Sequence, residues 1–411
     1  MIKRVKDVVV NIGSGTTPKS GESRYYDGAT IPWLNSGDLN DGLVLETSKY
    51  INETALQDYS ALHYYPKGSV VVAMYGASIG KTGILNFKTT VNQACCVLTP
   101  ESNQISSYFL QLLLKLSKNK FLLESFGGTQ PNISQKIVAN LLIDVPPVAE
   151  QEAIAAYLDK ECEKIGREIE LLERKADAYS RLRRSLINLA VTRGLNPNAP
   201  LKPSGNDWIG DIPTHWSINP LRTFITLTTP DKKDDDDYQL LSVTRDKGVI
   251  VRGDRGEDGN NNRIPDDLTN YKVVHKNQFV VNKMKAWMGS YGVSNYTGIV
   301  SPAYYVCDVR DIYEPFFSLA IRCKLYTNFF WKYSKGIRVD QWDMSPLALK
   351  EIPLVTPPIE EQREIVAYLD EKCGKIDAII EKIASKIERL KELKRSLINE
   401  VVTGKRPLKT L

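Results

Sequence analysis

The sequence predicts an α+β protein in which two globular segments are each followed by one long helix. The main observation is an internal repeat. Residues 146–192 align without a gap with residues 357–403, at a constant offset of 211. The residues before each copy contain short β-type runs, short helical patterns and frequent turn residues, which is typical of a mixed domain. The chain is therefore a duplication with the order segment, helix, segment, helix.

The first globular segment covers residues 1–145. Its apolar and β-branched runs predict strands, and its longer apolar-periodic stretches predict helices. We expect strands at 69–74, 90–98 and 141–145, and helices at 107–117 and 120–124. A polar loop, Gly127–Asn132, comes shortly before the first repeat copy.

The two repeat copies, at 146–194 and 357–404, are predicted to be long helices. Each begins after a Pro-Pro pair, and neither has a proline in its interior, which suits helix entry and continuation. Apolar residues recur in steps of four and three at Ile165, Ile169, Leu172, Ala176 and Tyr179, and at Ile376, Ile380, Ile383, Ile387 and Leu390. A mean step of 3.5 indicates a coiled-coil seam. We expect the two helices, each roughly 60 Å long, to pair antiparallel; the alternative is a solvated spacer helix that pairs with another protein.

The second globular segment lies within residues 195–356, after a linker rich in proline and glycine that starts at Gly194. Strands are expected at 239–243, 248–251, 278–282 and 303–306. Gln130 and Gln341 obey the offset of 211, as do Ser134 and Ser345. The duplication therefore reaches into the globular segments, although most of their sequence has diverged. Residues 405–411 form a short C-terminal tail.

Composition excludes several classes of protein. The chain is 42% hydrophobic and 25% charged, as in soluble globular proteins, and it has neither an apolar run of about 18 residues nor a signal peptide. Its six cysteines form no C-x-x-C pair, and its three histidines are far apart in sequence. We therefore expect no metal site, and a cytoplasmic location. A net charge of +5 permits nucleic-acid binding through local patches.

Motifs that resemble catalytic or cofactor sites are incomplete. The turn Gly76–Thr82 has three residues between its glycines, whereas a phosphate-binding loop has four. The run that begins at Asp254 would place Pro265 where a calcium loop requires glutamate. We find no Asn-Pro-Pro-aromatic tetrapeptide, no acidic-x-Lys nuclease core and no supported Ser/His/Asp set. The chain is therefore predicted to have no catalytic residues and to recognise or organise other molecules.

Polar loops supply the candidate DNA contacts. Lys81 and Thr82 end the glycine-rich turn, and Lys283 and Lys285 occupy a loop of the second segment; cations and backbone amides of this kind suit phosphate contacts. Gln130, Asn132, Arg338 and Gln341 lie in loops at matching places of the two segments and are candidate groove contacts. The simpler interpretation of each is an ordinary turn or a half-buried sheet residue.

Several motifs resemble those of the specificity subunits of type I restriction–modification systems. The helix starts PPxxEQxxI…YLD at 146 and 357 are the most specific, and the resemblance covers nearly the whole chain. Further similar stretches are 13–39, 75–96, 209–216 and 298–306. The first segment begins at Met1 without the W-x-G-x-I-P-x-x-W stretch that precedes the second.

The resemblance implies two pseudo-two-fold-related target-recognition domains, separated by two long antiparallel helices. Each domain would read half of a bipartite, asymmetric site in double-stranded DNA. The helices would set the gap between the halves and dock two methylation subunits, which carry S-adenosylmethionine. Separate restriction subunits would use ATP and Mg²⁺, and this chain itself would bind no cofactor. Residues expected to serve helix pairing or subunit docking are Glu150, Gln151, Tyr157, Ile165, Ile169, Leu172, Glu361, Gln362, Tyr368, Ile376, Ile380 and Ile383.

Two other functions remain open from the sequence. A stand-alone bipartite DNA-binding regulator would bind its site tightly without partners. A structural coiled-coil scaffold would show no salt-dependent affinity for DNA.

Overall fold

The structure is a computed structural model that describes residues 1–126, 131–228, 238–253, 264, 267–336 and 342–407. The chain divides into two compact units. Unit 1 consists of residues 1–171 and 386–411, and unit 2 consists of residues 172–385. Each unit therefore combines one globular segment with a part of both long helices.

Unit 1 contains ten short strands and four short helices in its described globular segment. The strands are β1 Ile2–Arg4, β2 Val9–Gly13, β3 Ile31–Leu34, β4 Leu43–Val44, β5 Tyr50–Ile51, β6 Val70–Ala73, β7 Thr82–Leu85, β8 Thr90–Val91, β9 Cys95–Pro100 and β10 Leu142–Asp144. The helices are α1 Glu53–Asp58, α2 Ser107–Leu116, α3 Lys118–Leu123 and α4 Gln135–Ala139. Five strands form the main sheet in the order β2-β9-β6-β7-β4, while β5-β3-β8 and β1-β10 form smaller sheets.

The centre of the unit 1 sheet is buried on both faces. All four residues of β6 are buried, which explains why its sequence is a continuous apolar run and not an alternating one. Val70 and Val72 belong to the cluster that includes Phe109 of α2. Val71 faces the opposite way, into a cluster with Leu34 and Val97.

Unit 2 has a similar arrangement of strands and short helices, but the elements differ in length. Its strands are β11 Leu201–Pro203, β12 Asp211–Pro213, β13 Ser217–Pro220, β14 Ile225–Leu227, β15 Leu241–Thr244, β16 Gly248–Val251, β17 Lys272–Val274, β18 Phe279–Asn282, β19 Tyr291–Val293, β20 Gly298–Val300, β21 Tyr304–Val309 and β22 Pro353–Thr356. Its short helices are α6 Glu314–Ile321, α7 Lys324–Tyr333 and α8 Pro346–Glu351. The sheet β14-β21-β18-β19 corresponds to β2-β9-β6-β7, and the pair β13-β22 corresponds to β1-β10.

Matching helix caps confirm that the duplication extends into the globular segments. The hydroxyl of Ser134 accepts a hydrogen bond from the Ile137 amide at the start of α4, at 3.4 Å. The Ser345 hydroxyl accepts one from the Ala348 amide at the start of α8, at 3.1 Å. A serine in this position satisfies an amide that the helix itself leaves unpaired, so both copies retain it.

The long helices are α5, Val148–Arg193, and α9, Ile359–Val402. In unit 1, Ile154 and Leu158 of α5 share a buried cluster with Leu397 and Val401 of α9. Further along α5, Glu168 pairs with Lys386 at 2.7 Å. Residue numbers rise on α5 as they fall on α9, so the two helices are antiparallel within this unit.

The helix segments of unit 2 are also antiparallel. Arg183 of α5 pairs with Asp377 of α9 at 3.0 Å, and Ala190 and Val191 share a buried cluster with Leu369. The seam is buried unequally, however. On α9, Ile376 and Ile383 are buried and Ile380 is half-buried. On α5, Ile165, Ile169 and Leu172 are all half-buried.

Two further features are the absence of membrane-spanning helices among the described residues and the state of the cysteines. Among the described residues, none of the helices is both long and apolar enough to cross a membrane. All six cysteines are free thiols, and burial raises the pKa of Cys96 and of Cys307 to about 12. Buried thiols of this kind are chemically inert.

Candidate nucleic-acid interface

A glycine-rich turn of unit 1 lies beside residues 131–133, which are distant from it in sequence. The turn Gly76–Ser78 follows β6. The Gly76 amide donates to the Pro131 carbonyl at 2.8 Å, and the Ile133 amide donates to the Met74 carbonyl at 2.9 Å. Two stretches that the sequence singled out separately therefore build one surface.

This surface carries a row of three side chains. Asn132 forms an isolated antiparallel bridge with Tyr75 on one side and with Phe126 on the other. Directly opposed residues of an antiparallel pair project their side chains to the same face. Tyr75 is 44% exposed and Phe126 is 57% exposed. The row therefore presents an amide between two exposed aromatic rings.

Unit 2 has a corresponding surface of different chemistry. The turn Ala286–Met288 follows β18, and the Met344 amide donates to the Lys283 carbonyl at 3.0 Å. Lys335 and Asp343 exchange two backbone hydrogen bonds, at 3.1 and 2.9 Å. Beside them Trp342 contacts the rings of Trp287 and Trp331, with centroids 5.8 and 5.6 Å away.

The lysines and the threonine predicted as DNA contacts differ in accessibility. Lys285 is exposed, and Lys283 is half-buried, 3.5 Å from Asp343. Lys81 is half-buried, but Thr82 is fully buried. The Thr82 amide and hydroxyl both donate to a carboxylate oxygen of Asp41, at 2.8 and 3.1 Å. The prediction that Thr82 contacts DNA is wrong, since its polar groups are already hydrogen-bonded inside the fold.

Three predicted groove contacts, Gln130, Arg338 and Gln341, lie outside the described residues. Of that group, Asn132 is described, and it is half-buried.

Sequence reasoning missed two cations that bind backbone carbonyls. At the end of α6 the Arg322 guanidinium donates to four carbonyls, those of Gly289 and Tyr291 after the turn and those of Arg245 and Asp246 in the neighbouring hairpin. Their distances are 2.7, 2.9, 2.8 and 2.9 Å.

Lys115, in the last turn of α2, donates to the Asp41 carbonyl. Burial lowers the pKa of Lys115 and the pKa of Arg322. No motif marks these residues; their only sequence signal is a cation at the end of corresponding helices.

The Glu-Gln pairs at the starts of the long helices have an internal role. Gln151 is fully buried; its side-chain oxygen accepts from the Ser106 amide at 2.9 Å, and its nitrogen donates to the Gln104 and Pro146 carbonyls at 2.8 Å. Gln362 accepts from the Tyr313 amide at 2.8 Å and donates to the Pro357 carbonyl at 2.9 Å. The expected docking or helix-pairing role of both glutamines is wrong, because their side chains join each helix to its own globular segment.

Replacing Gln151 with leucine is expected to lower the free energy of unfolding of unit 1 by about 2–3 kcal/mol. The shorter apolar side chain removes the partners of the Ser106 amide and of two carbonyls in a part-buried site, and each unpaired group carries its own desolvation cost. Urea unfolding of the purified variant measures the change. The matched control is Gln57→Leu, the same change at an exposed position of α1; equal losses in both variants would contradict this role.

The remaining predicted helix residues are distributed as follows. Glu150 is exposed. Glu361 accepts hydrogen bonds from the rings of Trp216 and His215, at 2.9 and 2.7 Å, so it is an internal contact and not a free docking group. Tyr157 packs at the edge of the unit 1 core, and Tyr368 packs at the edge of the unit 2 core.

Within the described ranges, no group of three or more His, Cys, Asp or Glu side chains is placed to hold a metal ion.

Comparison with known proteins shows which proteins this chain resembles. The model of the type I restriction modification DNA specificity domain matches residues 1–174. The MjaVIII specificity subunit of Methanocaldococcus jannaschii is 23% identical over 92% of this chain and 87% of its own length. The chain is thus similar to type I specificity subunits along nearly its whole length, and residues 1–174 match their DNA specificity domain.

Another specificity subunit aligns over a shorter region. The EcoR124I/EcoR124II specificity subunit of Escherichia coli is 25% identical, and the match covers 40% of this chain but only 43% of that subunit. A chain from a structural study of complex assembly and conformational transition in the type I restriction–modification system has the same fold. It superposes with a TM-score of 0.69 at 16% identity, covering 98% of this chain and 97% of that chain.

Proposed function

We propose that this chain recognises double-stranded DNA as the specificity subunit of a type I restriction–modification complex, and that each unit reads one half of a bipartite site. The observation that carries the proposal is the pair of corresponding surfaces described above. One frame, made of a strand, a turn and a bridge to a polar loop, is present in both units. The side chains on this frame differ: Tyr75, Asn132 and Phe126 in unit 1, and Lys335 and Asp343 in unit 2. A shared frame that carries different side chains suits the reading of two different base sequences, because base contacts determine specificity.

The chemistry of the complex is assigned to partner subunits. The chain recognises and positions; two methylation subunits bind S-adenosylmethionine and modify the DNA, and restriction subunits use ATP and Mg²⁺. We further propose that α5 and α9 set the gap between the half-sites and dock the methylation subunits. The similarity to type I specificity subunits and the antiparallel packing of α5 and α9 within each unit support these roles.

The function is tested by measuring duplex DNA binding across a range of salt concentrations, with and without a co-purified methylation subunit. The expected result is sequence-specific binding whose affinity falls steeply with salt. If specific binding were equally tight with and without the methylation subunit, the result would instead favour a stand-alone regulator. The absence of any salt-dependent affinity under both conditions would favour a scaffold.

Loss of the Lys285 ammonium is expected to weaken binding to all DNA sequences alike. If Lys285 contacts a phosphate, Lys285→Ala should reduce the slope of log affinity against log salt by about 1 and leave base preferences unchanged. The comparison variant is Lys202→Ala, which removes an exposed lysine from β11 of the same unit. A change in preferred bases with Lys285→Ala, or the same loss with Lys202→Ala, would contradict the phosphate role.

A further inference from the structure

Asn132 and Asp343 occupy one structurally equivalent position. They are related by the offset of 211, and each stands directly before a residue whose amide is bonded to the main chain near the end of the central strand. Those bonds join Ile133 to Met74 at 2.9 Å and Met344 to Lys283 at 3.0 Å.

The equivalence extends to the neighbours on both sides. Asn132 is bridged to Phe126, and Asp343 is bridged to Lys335, in each case by two backbone hydrogen bonds between 2.8 and 3.1 Å. Each residue also lies two positions before the serine that caps the next helix. The backbone at this position is therefore fixed by the same bonds in both units, whereas the side chain is free to differ.

Both side chains are accessible. Asp343 is 48% exposed, with the Lys283 ammonium 3.5 Å away. Asn132 is half-buried, and within the described part of the chain its amide group makes no hydrogen bond. Because Asn132 is bridged to Tyr75 and to Phe126, all three side chains project to the same face.

We propose that Asn132 and Asp343 are paired specificity-determining residues, with Asn132 reading an adenine in one half-site and Asp343 reading a cytosine in the other. This inference rests on the proposed function. A carboxamide offers one acceptor and a donor group, which match N6 and N7 of adenine in the major groove. A carboxylate only accepts, which matches the N4 amino group of cytosine. Lys283 and Lys335 offset the repulsion between the Asp343 carboxylate and DNA phosphates.

The test is selection from a randomised duplex DNA library with the full chain, alone and with co-purified methylation subunits. Asn132→Asp should change one base of one half-site, lowering the preference for adenine over cytosine there by at least about tenfold. Asp343→Asn should make the opposite change at one base of the other half-site. Asn132→Ala and Asp343→Ala should lose the preference at the same bases without replacing it.

Matched controls add or remove the same charge elsewhere in each unit. Asn103→Asp and Asp207→Asn alter exposed residues and should enrich the wild-type sequence. If the wild-type chain enriches no sequence, the proposed function fails. If it enriches a bipartite sequence that all four variants share, or if the variants lose affinity for all sequences while remaining folded, the function stands and the assignment of Asn132 and Asp343 is overturned.

Discussion

Aspartate in place of Leu158 is expected to lower the free energy of unfolding of unit 1 by roughly 4 kcal/mol or more. Leu158 is 1% exposed and packs in the cluster that joins α5 to Leu397 and Val401 of α9. Removing a buried leucine side chain costs about 2–5 kcal/mol, and an unpaired buried carboxylate adds a desolvation cost. The repeat-related Leu369 is also 1% exposed, so Leu369→Asp should destabilise unit 2 to a similar degree.

The duplication provides a control for both substitutions on the same helices. Leu182 and Leu393 are also related by the offset of 211, but they are 46% and 53% exposed. Aspartate at either position should change the free energy of unfolding by no more than about 0.5 kcal/mol. Urea unfolding measures all four variants, and hydrogen exchange shows which unit opens. Similar losses at buried and exposed positions would contradict the antiparallel packing described for each unit.

The sequence predicted the helices well because their information is local and periodic. A step of 3.5 identifies the seam at Ile376 and Ile383, and both residues are buried. Ser134 and Ser345 were marked by their shared offset, and in the structure each caps a short helix by accepting a hydrogen bond from an amide three residues on. Features that depend on neighbouring residues of the same element can be read from a single sequence.

Long-range partners decided the features that the sequence did not predict. Thr82 resembled a phosphate contact, yet its polar groups bond Asp41, which is distant in sequence. The conserved spacing of Gln151 and Gln362 in the repeat indicated importance but not its cause, because their partners lie in the preceding globular segments. Arg322 gave no signal, since all four of its acceptors are backbone carbonyls.

Exchange of the second globular segment is expected to replace one half of the recognised DNA site and leave the other half unchanged. The exchanged stretch is 206–356, which contains the unit 2 surface with Asp343. Both long helices lie outside this stretch and are kept in the hybrid. If each unit reads its own half-site, a hybrid with the corresponding segment of a relative should bind the original site about 10³-fold more weakly or worse. That factor is the ratio of specific to non-specific affinity. Selection from a randomised duplex library identifies the new half, and the unchanged half is the internal control.

The success of such a hybrid depends on contacts that cross its two junctions. The Trp216 ring donates to Glu361 at 2.9 Å, and the Tyr313 amide donates to Gln362 at 2.8 Å, so the start of α9 is held by groups from the exchanged segment. A donor segment must therefore supply an indole at 216, whereas the bond to Gln362 needs only a backbone amide. A hybrid with phenylalanine at 216 loses the first bond and should be less stable, but it should select the same bases as its parent hybrid. If folded hybrids retained both original half-sites, specificity would lie outside the exchanged segment and the proposed division of reading between the two units would be wrong.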